Sequence, residues 1–416
     1  LSARVLFEDT RAGDATKGAF LKMGVFSGSV GAGLGMVYRA GLRLVFAGIA
    51  AGGLYSASAS AETIDVNARE AILVDMNTNT VLFEKNADEH MPTSSMSKMI
   101  TIYEVFKRLK AGKLSMDDKL PVSEKAWRMQ GSKMFVELGN SIRVEDLIRG
   151  VLIQSGNDAT VVLAEGIAGS EDAFTDLLNK DAAELGMKNS HFMNASGWPD
   201  PDHYSTARDL SILAMALVRQ FPEYFHFFSE PEFTYHGIRQ RNRNPLLFEG
   251  IGADGMKTGH TEIAGYGLTA TVERDGRRLM MVMNGLQSER ARAEEPAKLL
   301  EWGFREFKII HPFKPGAPVG TAKVWMGKQD EVPLVAAQDV ALTVRRGALD
   351  DVSAKIVLQE PVPAPITAGQ PMGTLVISAK DMPDHEIPVV AGTDVARLGA
   401  VGRMFFSLKQ LVQGLI

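Results

Sequence analysis

Ser95-Met96-Ser97-Lys98, Ser155-Gly156-Asn157 and Lys257-Thr258-Gly259 stand in that order along the chain. Composition alone gives roughly one S-x-x-K by chance in a chain this long, so the first motif carries little by itself. The other two are scarcer, and the ordered set is the signal. Ser95 and Lys98 are three residues apart, which on a helix puts them on one face, a turn apart. A serine hydroxyl is a weak nucleophile until a base takes its proton, and a lysine serves as that base only as the neutral amine. Burial and a neighbouring cation lower the pKa of a lysine, and Lys257 is the cation the sequence offers. At the first turn of a helix, where Ser95 is placed, free N–H groups favour developing negative charge. Each motif also has a plain reading: a capping serine beside a solvated lysine, or a turn between helices for Ser-Gly-Asn.

Around the motifs the pattern is mixed. Ala68–Asp75 and Thr80–Glu84 read as strands about the turn-rich Met76-Asn77-Thr78-Asn79. Pro92 and Thr93 open a helix in which Met96, Met99, Ile100, Tyr103, Phe106 and Leu109 recur at helical spacing, with Gly112 ending it. Val144–Gln154 and Asp158–Ile167 read as helices joined at Ser155-Gly156-Asn157, Ser170 caps another to about Leu185, and Thr206 caps the next. Met256–Thr261, Tyr266–Glu273 and Arg278–Met283 read as strands, with Asp275-Gly276 as the last hairpin turn and Glu294–Phe307 as a closing helix. Past His311, prolines and glycines mark a linker. Short β-like segments follow at Val319–Trp325, Val340–Arg346, Ala354–Leu358, Gly373–Ile377 and Glu386–Val390. The fold class is α+β: an antiparallel sheet with a helical cluster, then a small all-β domain and a C-terminal amphipathic helix.

The chain has 416 residues, a net charge of −5 and no cysteine. The charge argues against nucleic acid as a partner, and the missing cysteines leave no disulfide and no thiolate ligand. Leu44–Tyr55 is a short apolar run after Arg39 and Arg43, followed by Ala59-Ser60-Ala61. This is the form of a secretory signal peptide and is too short for a comfortable transmembrane helix. Residues 1–61 are therefore read as leader and signal peptide, with residues 1–35 an artefactual or disordered extension and Met36 the start. The catalytic domain spans 62–310 and the β domain 311–392. In 393–416, Val395, Leu398, Val401, Phe405, Leu408, Leu411, Val412 and Leu415 follow helical spacing among Arg397, Arg403 and Lys409. That is the pattern of a helix lying on a membrane surface.

The three motifs, with the extended Lys257-Thr258-Gly259-His260-Thr261, resemble the penicillin-binding protein and serine β-lactamase superfamily. From about Ala61 onward the chain is most similar to its D-alanyl-D-alanine carboxypeptidases of low molecular mass. The resemblance implies a penicillin-binding/β-lactamase-like fold and a serine peptidase that removes the terminal D-alanine from peptidoglycan stem pentapeptides through an acyl-enzyme. Ser95 is then the nucleophile and Lys98 its base. Ser155 relays a proton to the leaving amine, and Asn157 orients Lys98 and the substrate. Lys257 and Thr258 hold the substrate carboxylate, and Gly259 leaves room at the strand edge. The backbone N–H of His260 joins that of Ser95 as the oxyanion hole. Arg278, in an Arg-Leu context like that of relatives, is expected to help bind the carboxylate, for which a guanidinium fork is suited.

The resemblance also implies β-lactams as covalent inhibitors, no metal and no organic cofactor, and a place on the periplasmic face of the cytoplasmic membrane. The loop 189–205 has no glutamate, unlike class A β-lactamases, which argues against that activity. Asp200, Asp202 and His203 lie in this loop, where turn formation suits them better than catalysis, and Asp209 reads as a cap partner. The rival readings are a DD-endopeptidase on the same fold, a β-lactamase, and a non-catalytic cell-wall-binding protein.

Overall fold

The computed structural model describes residues 64–379 and 384–413, with the backbone of Leu6–Phe7 and Ala19–Lys22. The leader run Leu44–Tyr55 and the Ala59-Ser60-Ala61 site lie outside the described residues. The described residues divide into two compact units, one from Ile64 to Phe307 and one from Lys308 onward that includes Leu6–Phe7 and Ala19–Lys22.

The first unit is built on a five-stranded antiparallel sheet. Its strands are β1 (Glu70–Asp75), β2 (Thr80–Lys85), β3 (Ala253–Thr261), β4 (Gly265–Arg274) and β5 (Arg277–Leu286). Their order is β2-β1-β5-β4-β3. The chain leaves the sheet after β2 and returns more than a hundred and fifty residues later, and Leu279 then pairs with Asp75 and Met283 with Ala71. The hairpin between β4 and β5 turns on Asp275 and Gly276, both at positive φ, the backbone a two-residue hairpin demands. β3 is left at the edge of the sheet, with only β4 beside it.

Six longer helices complete this unit: α1 (Lys98–Lys110), α2 (Val144–Leu152), α3 (Asn157–Ala168), α4 (Glu171–Leu185), α5 (Ala207–Gln220) and α6 (Glu289–Glu306). α1 is buried nearly all round, from Lys98 to Phe106, so it forms the middle of the core rather than a surface helix. The caps at Ser170 and Thr206 form, with their hydroxyls accepting the N–H groups of Ala173 and Asp209. α6 begins five residues before the expected Glu294, because the Ser288 hydroxyl accepts from Ala291 N–H and caps it there.

In the second unit five β segments pair in one sheet, in the order Ser353–Leu358, Pro371–Ser378, His385–Ala391, Glu331–Ala336, Pro318–Trp325, while Val340–Arg345 pairs apart from it with Phe307–Phe313. Ala19–Lys22 pairs with the first of these. Glu331–Ala336 escapes a sequence reading because Pro333 breaks its pattern; the ladder to His385–Ala391 starts at Leu334, just past that proline. Val319, Val324, Leu334, Leu342, Ile356, Leu375 and Val389 fill the core. The last helix, α7 (Ala400–Gln413), starts seven residues after the expected Thr393. Val395 is buried in the β core instead, where its N–H and C=O exchange hydrogen bonds with Ile366. Val401, Met404, Phe405 and Leu408 of α7 are exposed.

Candidate active site

Ser95 sits in a single 3-10 turn, Ser94–Ser97, that feeds directly into α1. Lys98, the first residue of α1, is fully buried. Its Nζ lies 2.8 Å from Ser95 Oγ, 2.7 Å from Asn157 Oδ1 and 2.6 Å from the Ser196 carbonyl oxygen. The Asn157 amide is oriented by its other end, since Nδ2 donates to the acceptor-only carbonyl of Gln130 at 2.7 Å. Two of the three partners of Lys98 are therefore oxygens that only accept. A neutral amine spends both N–H bonds on them, and its lone pair is left facing the Ser95 hydroxyl. Burial, then the charge of Arg243, lowers the Lys98 pKa to about 7, with Asp158 acting the other way. The neutral amine is thus well populated near neutral pH.

Ser155 stands at the joint between α2 and α3, buried and at positive φ. Its Oγ accepts from Lys257 Nζ at 3.0 Å, and the same ammonium donates to Thr258 O at 3.0 Å. Lys257 is buried on β3, and its pKa is pushed well below the usual value by burial and by the charges of Lys98, Arg243 and Arg292. The three motifs thus meet: one serine–lysine contact on the turn Ser94–Ser97, and a second lysine–serine contact bridging β3 to the helical cluster.

β3 approaches the turn Ser94–Ser97 closely at Gly259. A Cβ there would lie 2.8 Å from Thr93 O and 3.3 Å from Ser94 Cβ, so this glycine is required by packing of the strand on the turn. The expectation gave the space to substrate. The His260 ring is exposed and lies over Tyr266, at 4.0 Å between centroids.

Arg278 is not brought to the cleft. It faces Glu273, while the Lys257 row runs through Thr269 to Val282, four residues further along β5 or about 13 Å. Its guanidinium is spent on Asp254, at 2.8 Å, and on Glu273. Arg243 and Arg292 are the guanidinium groups whose charges act on Lys257. Arg292 lies on α6, with its Nε buried and unbonded, and Arg243 donates to Ser132 Oγ at 2.6 Å. Neither stands out in sequence, because one lies in a polar loop and the other in a charged helix.

Two further contributors are also silent in the sequence. The Asp158 carboxylate accepts the backbone N–H groups of Met134, Phe135 and Val136, at 2.8, 2.8 and 3.1 Å, and so holds the segment that follows Gln130 and Ser132. In the loop 189–205, Asn194 Oδ1 accepts from the N–H groups of Ser196, Gly197 and Trp198, which places the Ser196 carbonyl on Lys98. His203, from the same loop, contacts Ser97 Oγ through Nε2 at 2.7 Å. The Asp209 carboxylate accepts from Asn189 N–H and Ser190 Oγ, tying the loop's start to α5.

This geometry has counterparts in known proteins. Residues 56–287 match the D-alanyl-D-alanine carboxypeptidase family of peptidases, and residues 307–397 match the C-terminal domain of penicillin-binding protein 5. The D-alanyl-D-alanine carboxypeptidase DacC of Escherichia coli is 39% identical over 359 residues, 84% of this chain and 90% of that one. Penicillin-binding protein 5 of Haemophilus influenzae superposes with a TM-score of 0.72 at 35% identity, covering 81% of this chain and all, 100%, of that one. The ampicillin-bound penicillin-binding protein D2 of Listeria monocytogenes superposes with a TM-score of 0.54 at 30% identity, over 59% of this chain and 100% of that one. With the fold, the serine–lysine centre and these relatives in agreement, the chain belongs to the D-alanyl-D-alanine carboxypeptidase family of serine peptidases.

Proposed function

We propose that the protein removes the terminal D-alanine from peptidoglycan stem pentapeptides, with Ser95 as nucleophile and Lys98 as general base. The observation that carries the reading is the set of three contacts at Lys98 Nζ, which aims a lone pair at Ser95 Oγ. Ser95 Oγ attacks the carbonyl of the D-Ala-D-Ala bond while its proton passes to Lys98. Negative charge on the carbonyl oxygen is met by the backbone N–H groups of Ser95 and His260. The C–N bond then breaks, and the departing D-alanine nitrogen takes a proton through Ser155, to which Lys98 passes on the one it took from Ser95, so that the amine is neutral again. Water attacks the resulting ester, giving up a proton to Lys98, and Lys98 returns that proton to Ser95 Oγ as the C–O bond breaks, releasing the shortened peptide and restoring the hydroxyl.

Arg243, Arg292, Lys257 and Thr258 hold the substrate carboxylate. Three basic side chains, Lys257, Arg243 and Arg292, converge on this end of the cleft, and the nearby Asp158 carboxylate is already occupied by backbone N–H groups. An anionic substrate end adds countercharge there. β-Lactams carry a carboxylate and a strained amide, and they acylate Ser95 by the same steps.

We further propose that the protein is exported and works on the periplasmic face of the cytoplasmic membrane, held by α7. Among the described residues no helix is long and apolar enough to cross a membrane. The exposed Val401, Met404, Phe405 and Leu408 suit a helix that lies in the interface. Incubation of the pure protein with a stem pentapeptide tests the activity. Mass analysis of the product is expected to show loss of one alanine, and Ser95→Ala is expected to abolish both this and labelling by fluorescent penicillin. Labelling that survives Ser95→Ala would overturn the assignment.

A further inference from the structure

Ser94, the residue before the nucleophile, has a φ of +50°, a left-handed backbone that a serine holds only where its surroundings impose it. Thr93 and Ser97 occupy the N-cap positions of the turn Ser94–Ser97 and of α1, yet neither hydroxyl caps a helix N–H. They are bonded to each other instead, across residues 94–96, so that the hydroxyl bridge spans Ser95. Ser97 Oγ also lies 2.7 Å from His203 Nε2. Thr93, Ser97 and His203 are all buried.

The direction of these bonds is fixed from their far end. Met193 N–H can only donate, and at 3.2 Å it meets Nδ1 of His203. Nδ1 is therefore the acceptor nitrogen, and the ring carries its proton on Nε2, which donates to Ser97 Oγ. The Ser97 hydroxyl proton is then directed to Thr93 Oγ1. A proton on Nδ1 would face the Met193 N–H, so the ring is held neutral. Burial, opposed by Asp200 and aided by His191 and Lys98, acts in the same sense and lowers its pKa to about 4. At its other end the loop 189–205 meets the turn and α1 through backbone. Gly197 packs against Ser94 O, the Ser196 carbonyl accepts from Lys98 Nζ, and the Ala195 carbonyl accepts from Thr101 Oγ1 at 2.7 Å.

We propose that His203 is a positioning residue for the nucleophile. Through Ser97 it orients the hydroxyl bridge to Thr93, which holds Ser94 in its left-handed backbone and keeps Ser95 Oγ within reach of Lys98 Nζ. His203 acts through Ser97 and not on the substrate, so its loss slows acylation without weakening the first complex. The inference rests on Ser95 as the nucleophile and gives His203 a role beyond the turn it helps to form.

Stopped-flow acylation of the full chain by a fluorescent penicillin, over a range of concentrations, separates the dissociation constant of the first complex from the acylation rate constant. His203→Leu keeps the bulk and loses both ring hydrogen bonds. It is expected to lower the acylation rate constant about tenfold and leave the dissociation constant unchanged. The amide of His203→Gln accepts from Met193 N–H and donates to Ser97 Oγ, and this variant should recover to within about threefold of the wild type. Ser97→Ala should slow acylation by a factor similar to His203→Leu, and the double variant should be no slower than either alone. A wild-type rate constant in Ser97→Ala or in a folded His203→Leu would overturn the role of His203. So would a His203→Gln variant as slow as Ser97→Ala, or losses that multiply in the double variant. If His203→Leu does not fold, Ser97→Ala and His203→Gln decide by the same outcomes. A wild type that takes up no penicillin would overturn the reading of Ser95 as well, whereas an active wild type with unaffected variants would overturn His203 alone.

Discussion

Nζ of Lys98 lies 2.7 Å from Oδ1 of Asn157, and the far end of that amide is fixed by Gln130 O. The neutral amide accepts from the amine without adding charge. Asn157→Asp would put a carboxylate in the same place and favour the ammonium form. An opposite charge at contact raises a lysine pKa by about 1–3 units. Acylation by penicillin near neutral pH should therefore fall at least about tenfold. Raising the pH should restore much of the rate, which a simple structural defect would not do. Stopped-flow acylation at neutral and alkaline pH reads both effects.

The Lys98 pKa of about 7 sets an acid limb. The base works as the neutral amine, so acylation is present above the pKa and lost below it. The second-order rate constant should be flat at alkaline pH and fall about tenfold for each pH unit below about 7. A rate that holds constant down to about pH 5 would remove Lys98 from the role of base.

Arg243 and Arg292 act on Lys257, and Arg278 is spent on Asp254 and Glu273. Arg243→Ala and Arg292→Ala should each lower kcat/KM for the carboxylate-terminated peptide by about tenfold to a hundredfold, the cost of a charge-assisted hydrogen bond. The loss should be much smaller with a substrate whose terminal carboxylate is amidated. Arg278→Ala should change kcat/KM by less than about twofold. Comparison of the two substrates with the three variants decides whether the carboxylate site is where the geometry puts it.

Gly197 adopts a φ of +76°, and a Cβ there would stand 1.9 Å from Ser94 O. Gly197→Ala combines a strained backbone with a clash against the residue that precedes the nucleophile. A loss of about 2 kcal/mol or more in denaturant unfolding is expected, with slower acylation because the loop also carries the Ser196 carbonyl that holds Lys98. Unchanged stability and acylation would show that the loop can be moved without cost.

Much of the site was legible because its chemistry is concentrated in three short motifs. Ser95 and Lys98 are one helical turn apart, and local geometry brings them together once the helix forms. The 3.6-residue pattern of α1, the capping hydroxyls of Ser170 and Thr206 and the Asp275-Gly276 turn are likewise local signals. They survive in the fold because local preference and core packing agree there. Arg278 was misread for the opposite reason. Its distance from Lys257 depends on strand register, a property of pairs of segments that a single segment does not carry. The start of α7 was misplaced because Val395 satisfies the apolar repeat of a helix and the demand of a β core equally well.

The sequence by itself determined that Ser95 and Lys98 would meet and singled out Ser155 and Lys257 as the second pair, since each motif is written in residues close together. Only the tertiary structure decided what surrounds them. The Ser196 carbonyl and the Gln130 carbonyl are backbone groups that any residue possesses, so no side-chain identity announces them. The places of Arg243, Arg292 and Asp158 follow from which charges end up as neighbours in a buried space, and burial is a property of the folded chain.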